Sequence, residues 1–251
     1  AAALVSGMVS GDDSLLQPQT RTAMQQAGLS HLTAVSGANL AIVAGFLLGI
    51  ATVLGASRSM QLLMVAFGLS SYVIFVGPEP SVLRAAAMAG IALAGLFRGG
   101  GTALVGLQLA MLGLLLANPW LSWSVGFQLS CAATAGLLLI SPTLLPAKPG
   151  VSAGWLARLG TAIQLAVAVS VSAWLATAVI IVGFGDGISA WAILANVLVA
   201  PLVAGITISG LIVAGLSVVV PVWAATLAQA PMLGAQVILS VAQSTQNLGQ
   251  R

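Results

Sequence analysis

Residues 160–183 read GTAIQLAVAVSVSAWLATAVIIVG, and runs of this kind decide the fold. The run contains no charged residue and exceeds the roughly 20 residues that a helix needs to cross the hydrocarbon core of a bilayer. Strands of outer-membrane barrels are shorter and alternate between apolar and polar residues, which this run does not do. The run therefore predicts a transmembrane α-helix, whose backbone groups are all hydrogen-bonded within the segment.

The composition extends this prediction to the whole chain. Of its 251 residues, 59% are hydrophobic and only 4% are charged. Soluble domains carry about 25% charged residues, so four acids and seven bases cannot cover a folded surface in water. The same shortage excludes a nucleic-acid-binding domain with a water-exposed basic face. We predict an all-α polytopic integral membrane protein.

Single residues exclude several kinds of site. Cys131 is the only cysteine and His31 the only histidine. A disulfide within the chain and a metal site built from several His or Cys ligands are therefore excluded, and we expect no metal and no cofactor. The chain starts Ala1-Ala2-Ala3-Leu4, without a methionine or the basic start of a signal peptide. We expect it to be a membrane domain of a longer protein.

Glycine, proline and charged residues divide this single domain into three parts. Residues 1–11 are interpreted as the end of a truncated helix, and 29–251 as a helical bundle. Between them, 12–28 is the most polar stretch, and Pro18 and Gly28 predict the start and end of a short amphipathic, interfacial helix. The bundle should hold about seven to eight transmembrane helices, with at least one broken helix. The candidate spans are 29–55, 60–77, 81–97, 102–117, 123–141, 160–183, 188–215 and 221–245.

The charged residues predict the orientation. If all eight segments cross, the loops alternate between the two sides of the membrane. Four bases then fall on one side: Arg58, Arg98, Lys148 and Arg158. The acids fall on the other: Asp12, Asp13, Glu79 and Asp186. Because basic residues prefer short cytoplasmic loops, the acidic side, with the interfacial helix, is predicted to be extracytoplasmic.

The first span carries several polar groups. It holds His31, Ser36, Gly37 and Asn39, and Ser36 and Asn39 share one helical face. Gly37 is able to adopt left-handed backbone conformations and favours a helix break. Freed backbone at membrane depth is tolerated where it is buried in protein or lines a wet cavity. Two interpretations stay open, a polar path and hydrogen bonds that pack helices together.

Later spans carry polar groups as well. Arg84 lies four residues into an otherwise apolar span. An arginine at the membrane centre costs about 2.5–3.5 kcal/mol. It either has a function, or extends outward to the interface, or pairs with Glu79 five residues earlier. Gln128 and Asn196 interrupt two further spans. Each alone is typical of an interhelical hydrogen bond, whereas four such spans together favour an internal polar surface.

Residues 28–39 read GLSHLTAVSGAN and closely resemble the Gly-Leu-Ser-His-Leu-x-Ala-x-Ser-Gly motif of the ComEC family. Other strings occur in the order expected of that family's competence domain: Gly11-Asp12, Arg84-Ala85 with Met88, Asn118-Pro119 leading to GFQLS at 126–130, and Asn196 with Pro201. The resemblance covers nearly the whole chain. It implies a multi-pass channel in the bacterial plasma membrane that conducts single-stranded DNA into the cytoplasm during natural transformation.

The resemblance also implies partners and site residues. The partners are single-stranded DNA, the lipid bilayer, the other domains of the full-length protein and other competence machinery. The DNA path would include His31, Ser36, Gly37, Asn39, Arg84, Gln128 and Asn196. Many longer family members have a further domain that resembles a metallo-β-lactamase-type nuclease. Such a nuclease binds its metals through several histidines and aspartates, and this chain has one histidine. We therefore expect that this chain is not an enzyme.

Two other classes of function are alternatives to a DNA channel. A small-solute secondary transporter or permease would also have a broken helix near the membrane midplane, but no inverted repeat is apparent. A structural membrane scaffold is disfavoured by Arg84 and the polar spans. A path of small, neutral polar side chains with few bases suits conduction, because a strand must be able to leave each site.

Overall fold

The computed structural model describes residues 1–77, 79–98, 103–145, 154–184 and 191–249, and at 80, 92–98 and 246–249 it describes the backbone only. Over these residues the chain is helical and contains no strand, as the composition predicts. The helices are α1 (Ala2–Ser10), α2 (Pro18–Gln26), α3 (Gly37–Val53), α4 (Arg58–Val76), α5 (Pro80–Arg98), α6 (Ala103–Ala117), α7 (Val125–Leu139), α8 (Ser141–Leu144), α9 (Trp155–Gly183), α10 (Trp191–Val219), α11 (Pro221–Leu227) and α12 (Gln229–Gly249). Turns of 310 helix lie at Ser30–Leu32 and Pro119–Trp123.

Each of the eight predicted spans contains an apolar helix. Among the described residues, four helical stretches are long and apolar enough to cross a membrane: α4, α9, α10, and Pro221–Thr245, which joins α11 to most of α12. Shorter apolar helices are α3, α6, α7 and the part of α5 at Ser81–Ile91. The all-helical membrane fold is therefore confirmed, whereas the number of crossings stays a prediction.

The polar segment and the first span are not continuous helix. Within the polar stretch 12–28, the interfacial helix begins at Pro18, as predicted, and runs to Gln26. The preceding residues form a turn instead, because the Asp12 carboxylate accepts the backbone N–H of Ser14 at 3.0 Å. The span predicted over 29–55 is divided close to the predicted helix break. The 310 turn at Ser30–Leu32 is followed by non-helical residues, Ser36 is extended, and α3 begins at Gly37.

Helix α2 is amphipathic, as predicted. Met24, and Ala27 just after the end of the helix, are fully buried against α10 and α12, whereas Arg21 and Gln25 are exposed. Gly28 ends this segment with φ +68° and leaves no room for a side chain, because a Cβ there would overlap the Cβ of Ala192 in α10. The polar segment is thus held against the bundle by its apolar face.

Five helices form a closed ring. Helix α3 packs against α5, α5 against α7, α7 against α9, α9 against α10, and α10 against α3. Short connections between packed neighbours make α3 to α7 alternate in direction, so α3, α5 and α7 all begin at the same end of the ring.

Of the charges that predict the orientation, Arg58, Glu79 and Asp12 lie at the expected ends. Arg58 begins α4, and Glu79 follows the end of the same helix. Gly11 lies beside Val76, the last residue of α4, because a Cβ on Gly11 would lie 3.3 Å from Cγ1 of Val76. The adjacent Asp12 is therefore at the same end of the molecule as Glu79. The side chain of Arg98, together with Lys148 and Asp186, lies outside the described residues.

Candidate functional site

The buried guanidinium of Arg84 is the central feature of the candidate site. Arg84 lies at the start of the second turn of α5 and is 4% exposed. Its Nε donates to Oγ of Ser130 at 2.8 Å, and its Nη2 donates to the same oxygen. Its Nη1 donates to Oγ1 of Thr134 at 3.0 Å and to Sδ of Met88 at 3.4 Å. Ser130 and Thr134 are one turn apart on α7, so that helix presents two hydroxyls to α5.

Each of these partners of the Arg84 guanidinium is neutral. Glu79 is exposed, and the ion pair found in the described part of the chain joins Arg21 Nη2 to Asp13 Oδ2 at 3.0 Å. Hydroxyls satisfy the N–H donors of a guanidinium without neutralising its charge, and a buried charge without a counter-ion is costly. Neither structural alternative from the sequence, pairing with Glu79 or extension outward, describes the observed contacts of Arg84.

Gly37 closes the site on the side of α3. A Cβ at Gly37 would lie 3.0 Å from Nη2 of Arg84 and 3.2 Å from the Cβ of Ala85. Gly37 is not among the described glycines with a positive φ. Glycine is therefore needed here for space and not for a left-handed backbone. The guanidinium thus lies near the starts of α3, α5 and α7, where helix dipoles add positive potential.

The non-helical segment before α3 is held in place by side-chain hydrogen bonds. Asn39 is 3% exposed, and its Nδ2 donates to the backbone O of Met8 in α1 at 2.7 Å. Ser36 Oγ donates to Oδ1 of Asn39 at 3.3 Å. From α5, Ser81 Oγ donates to the backbone O of Val35 at 3.0 Å. These bonds fix the start of α3 relative to α1 and α5, and with it the position of Gly37.

The chain matches the family described as Competence protein over residues 8–250. It belongs to this family. The ComE operon protein 3 of Bacillus subtilis (strain 168) is 36% identical over 139 residues, which are 55% of this chain and 18% of that protein. The match thus covers less than a fifth of the relative's length. No solved structure matches the chain. The family resemblance carried by residues 28–39 is confirmed.

In this competence protein, the remaining predicted site residues make separate contacts. Asn196 Nδ2 donates to the backbone O of Ala192 at 2.8 Å and of Gly28 at 3.3 Å, which ties α10 to the end of the α2 segment. Gln128 Nε2 donates to the backbone O of Ser122 at 2.7 Å, and His31 is exposed in the first 310 turn. The described bonds of Asn196 and Gln128 therefore go to backbone carbonyls.

Two residues of the site were missed from the sequence. Ser130 belongs to the family string at 126–130, and Thr134 follows it by one helical turn, so two hydroxyls on one face were a detectable signal. Their pairing with Arg84 was not detectable, because 46 and 50 residues separate them from it along the chain. That pairing depends on how α5 packs on α7.

Proposed function

We propose that the chain conducts single-stranded DNA across the bacterial plasma membrane, through the interior of the five-helix ring. Membership of the Competence protein family and the similarity to a ComE operon protein support a role in DNA uptake. The observation that carries the proposal is the buried guanidinium of Arg84, which neutral hydroxyls hold and which no carboxylate among its described partners neutralises. Ionisable residues inside membrane spans mark substrate or ion pathways.

The chemistry of Arg84 suits the DNA backbone. A guanidinium binds a phosphate through two parallel N–H donors, and such charge-assisted hydrogen bonds are stronger than those to hydroxyls. A phosphate is therefore able to replace the hydroxyl of Ser130 as an acceptor. One such charge, rather than a ring of many, lets each phosphate leave again, which conduction requires.

The surroundings of Arg84 favour a single strand of any sequence. The guanidinium is enclosed by α3, α5 and α7, so we expect a single strand, and not the wider duplex, to reach it. Its neighbours Gly37, Ala85, Ser130 and Thr134 are small and provide no aromatic ring on which a base would stack. We expect passage without base preference.

The test uses the purified chain in phospholipid vesicles. Labelled oligonucleotides, single-stranded or as blunt duplexes of the same sequence, are added outside, and binding and protection from added nuclease are measured. We expect binding and protection of the single strand in vesicles with protein, and neither for the duplex. Equal results for both forms, or no binding by folded protein, would contradict the proposal. Uptake of small solutes without DNA would favour a secondary transporter.

A further inference from the structure

The two hydroxyls of α7 contact different edges of the Arg84 guanidinium. The oxygen of Ser130 accepts both the Nε and the Nη2 hydrogen bonds, so it occupies the fork between these two donors. This fork is the edge through which a guanidinium binds a phosphate in the bidentate manner. Thr134 instead accepts from Nη1, on the opposite edge.

The hydroxyl of Thr134 is itself oriented. It donates to the backbone O of Ser130 at 2.9 Å, so its hydrogen is in use and its oxygen lone pairs face the Nη1 donor. Met88, one turn along α5, supplies a weak second acceptor for Nη1 at 3.4 Å. The guanidinium plane is thus held from one edge while the fork carries a single neutral oxygen.

We propose that Thr134 and Ser130 are positioning residues for a phosphodiester: Thr134 anchors Arg84, and Ser130 holds its phosphate-binding fork with a neutral oxygen that a phosphate displaces. The inference rests on the proposed function and adds the ligand class of the site and the groups that prepare it. Because a hydroxyl leaves the guanidinium charge intact, the site stays attractive to a phosphate. A carboxylate at the same position would neutralise the charge and block the fork.

The neutrality of Ser130 gives a test that separates function from stability. In Ser130→Asp, a carboxylate pairs with Arg84, so the protein should melt at the wild-type temperature or above and yet bind single-stranded DNA at least about tenfold more weakly. Affinity falls as salt rises, and the magnitude of the slope of log affinity against log salt should decrease by about 0.7, the value for one lost phosphate contact on a single strand. Ser14→Asp adds the same charge at an exposed position and should bind like the wild type.

Thr134 gives a second, independent test. Thr134→Val keeps the shape of the side chain but removes the hydroxyl, so DNA binding should fall and its salt slope should decrease, while Thr134→Ser should restore both. The probe is a labelled oligothymidylate, with the protein in lipid vesicles.

Wild-type binding by folded Ser130→Asp or by Thr134→Val would overturn the inference and leave the proposed function standing. If Ser130→Asp does not fold, the Thr134 pair decides. Absence of DNA binding by the wild-type chain would instead contradict the proposed function, and the inference with it.

Discussion

At the scale of single residues, the proposed function depends on the charge of Arg84 and on the space beside it. A guanidinium that is 4% exposed and bonded to neutral acceptors contributes little to stability, because its desolvation is not offset by a counter-ion. Gly37 leaves the room that the guanidinium occupies. The residue that is costly for folding is therefore the one best suited to meet an anion.

Adding one methyl group at Gly37 should disturb this arrangement. The new Cβ would lie 3.0 Å from Nη2 of Arg84, so the guanidinium must shift by a few tenths of an ångström. At a cost of about 1 kcal/mol, we expect Gly37→Ala to lower DNA passage by about fivefold while the protein still folds. Gly45→Ala in the same helix has nothing within 4 Å and should pass DNA normally. Passage rates per folded protein in vesicles measure the difference, and equal rates would show that the contact is unimportant.

At the scale of helices, a glycine lets two helices of the ring, α7 and α9, pack closely together. A Cβ at Gly136 of α7 would lie 2.6 Å from the backbone O of Ser172 and 2.6 Å from the Cβ of Ala176, both in α9. Small residues at such crossings let helices in membranes pack closely where no hydrophobic force drives them together. Because α7 also carries Ser130 and Thr134, its packing on α9 supports the site.

A methyl group at this crossing should destabilise the fold. We expect Gly136→Ala to push α7 away from α9, at a cost of about 1–3 kcal/mol, and to lower the melting temperature of the purified protein. Gly113→Ala in α6 meets nothing within 4 Å and serves as the matched control. Similar melting temperatures for the two variants would mean that the α7–α9 crossing is looser than described.

The helices were largely predictable from sequence, and their partners were not. Long apolar runs such as 160–183 predict a helix because backbone groups in lipid must bond within their own segment. The start of α2 was predictable as well, because proline is favoured in the first turn of a helix and α2 begins at Pro18. At the site, Arg84 and Gly37 were predicted individually. Their contact with α7 was not, since it arises from helix packing rather than from any sequence period.

At the scale of the whole molecule, the sorting of charges between two ends is the main clue to orientation. Asp12 and Glu79 lie at the end where α3, α5 and α7 begin, and Arg58 lies at the other end. Arg84 is thus near the acidic end, which the basic residues predict to be extracytoplasmic. A strand entering from outside would meet its guanidinium early in the passage.

Cysteine labelling tests this orientation. In a Cys131→Ser background, Ser14→Cys lies at the acidic end and Ser59→Cys at the basic end, and both positions are exposed. A membrane-impermeant thiol reagent should label the first in intact bacterial cells and the second after the membrane is opened. Labelling of both from one side would contradict the predicted crossings between them.

DNA passage through vesicles that hold equal amounts of folded protein tests whether Arg84 contacts the phosphates of a passing single strand. We expect Arg84→Lys to retain part of the passage, because it keeps the charge but loses the fork, and Arg84→Met to retain very little. Arg58→Met and Glu79→Gln change exposed charges away from these contacts and should behave like the wild type. Wild-type passage by folded Arg84→Met, or an equal loss in Glu79→Gln, would contradict the account.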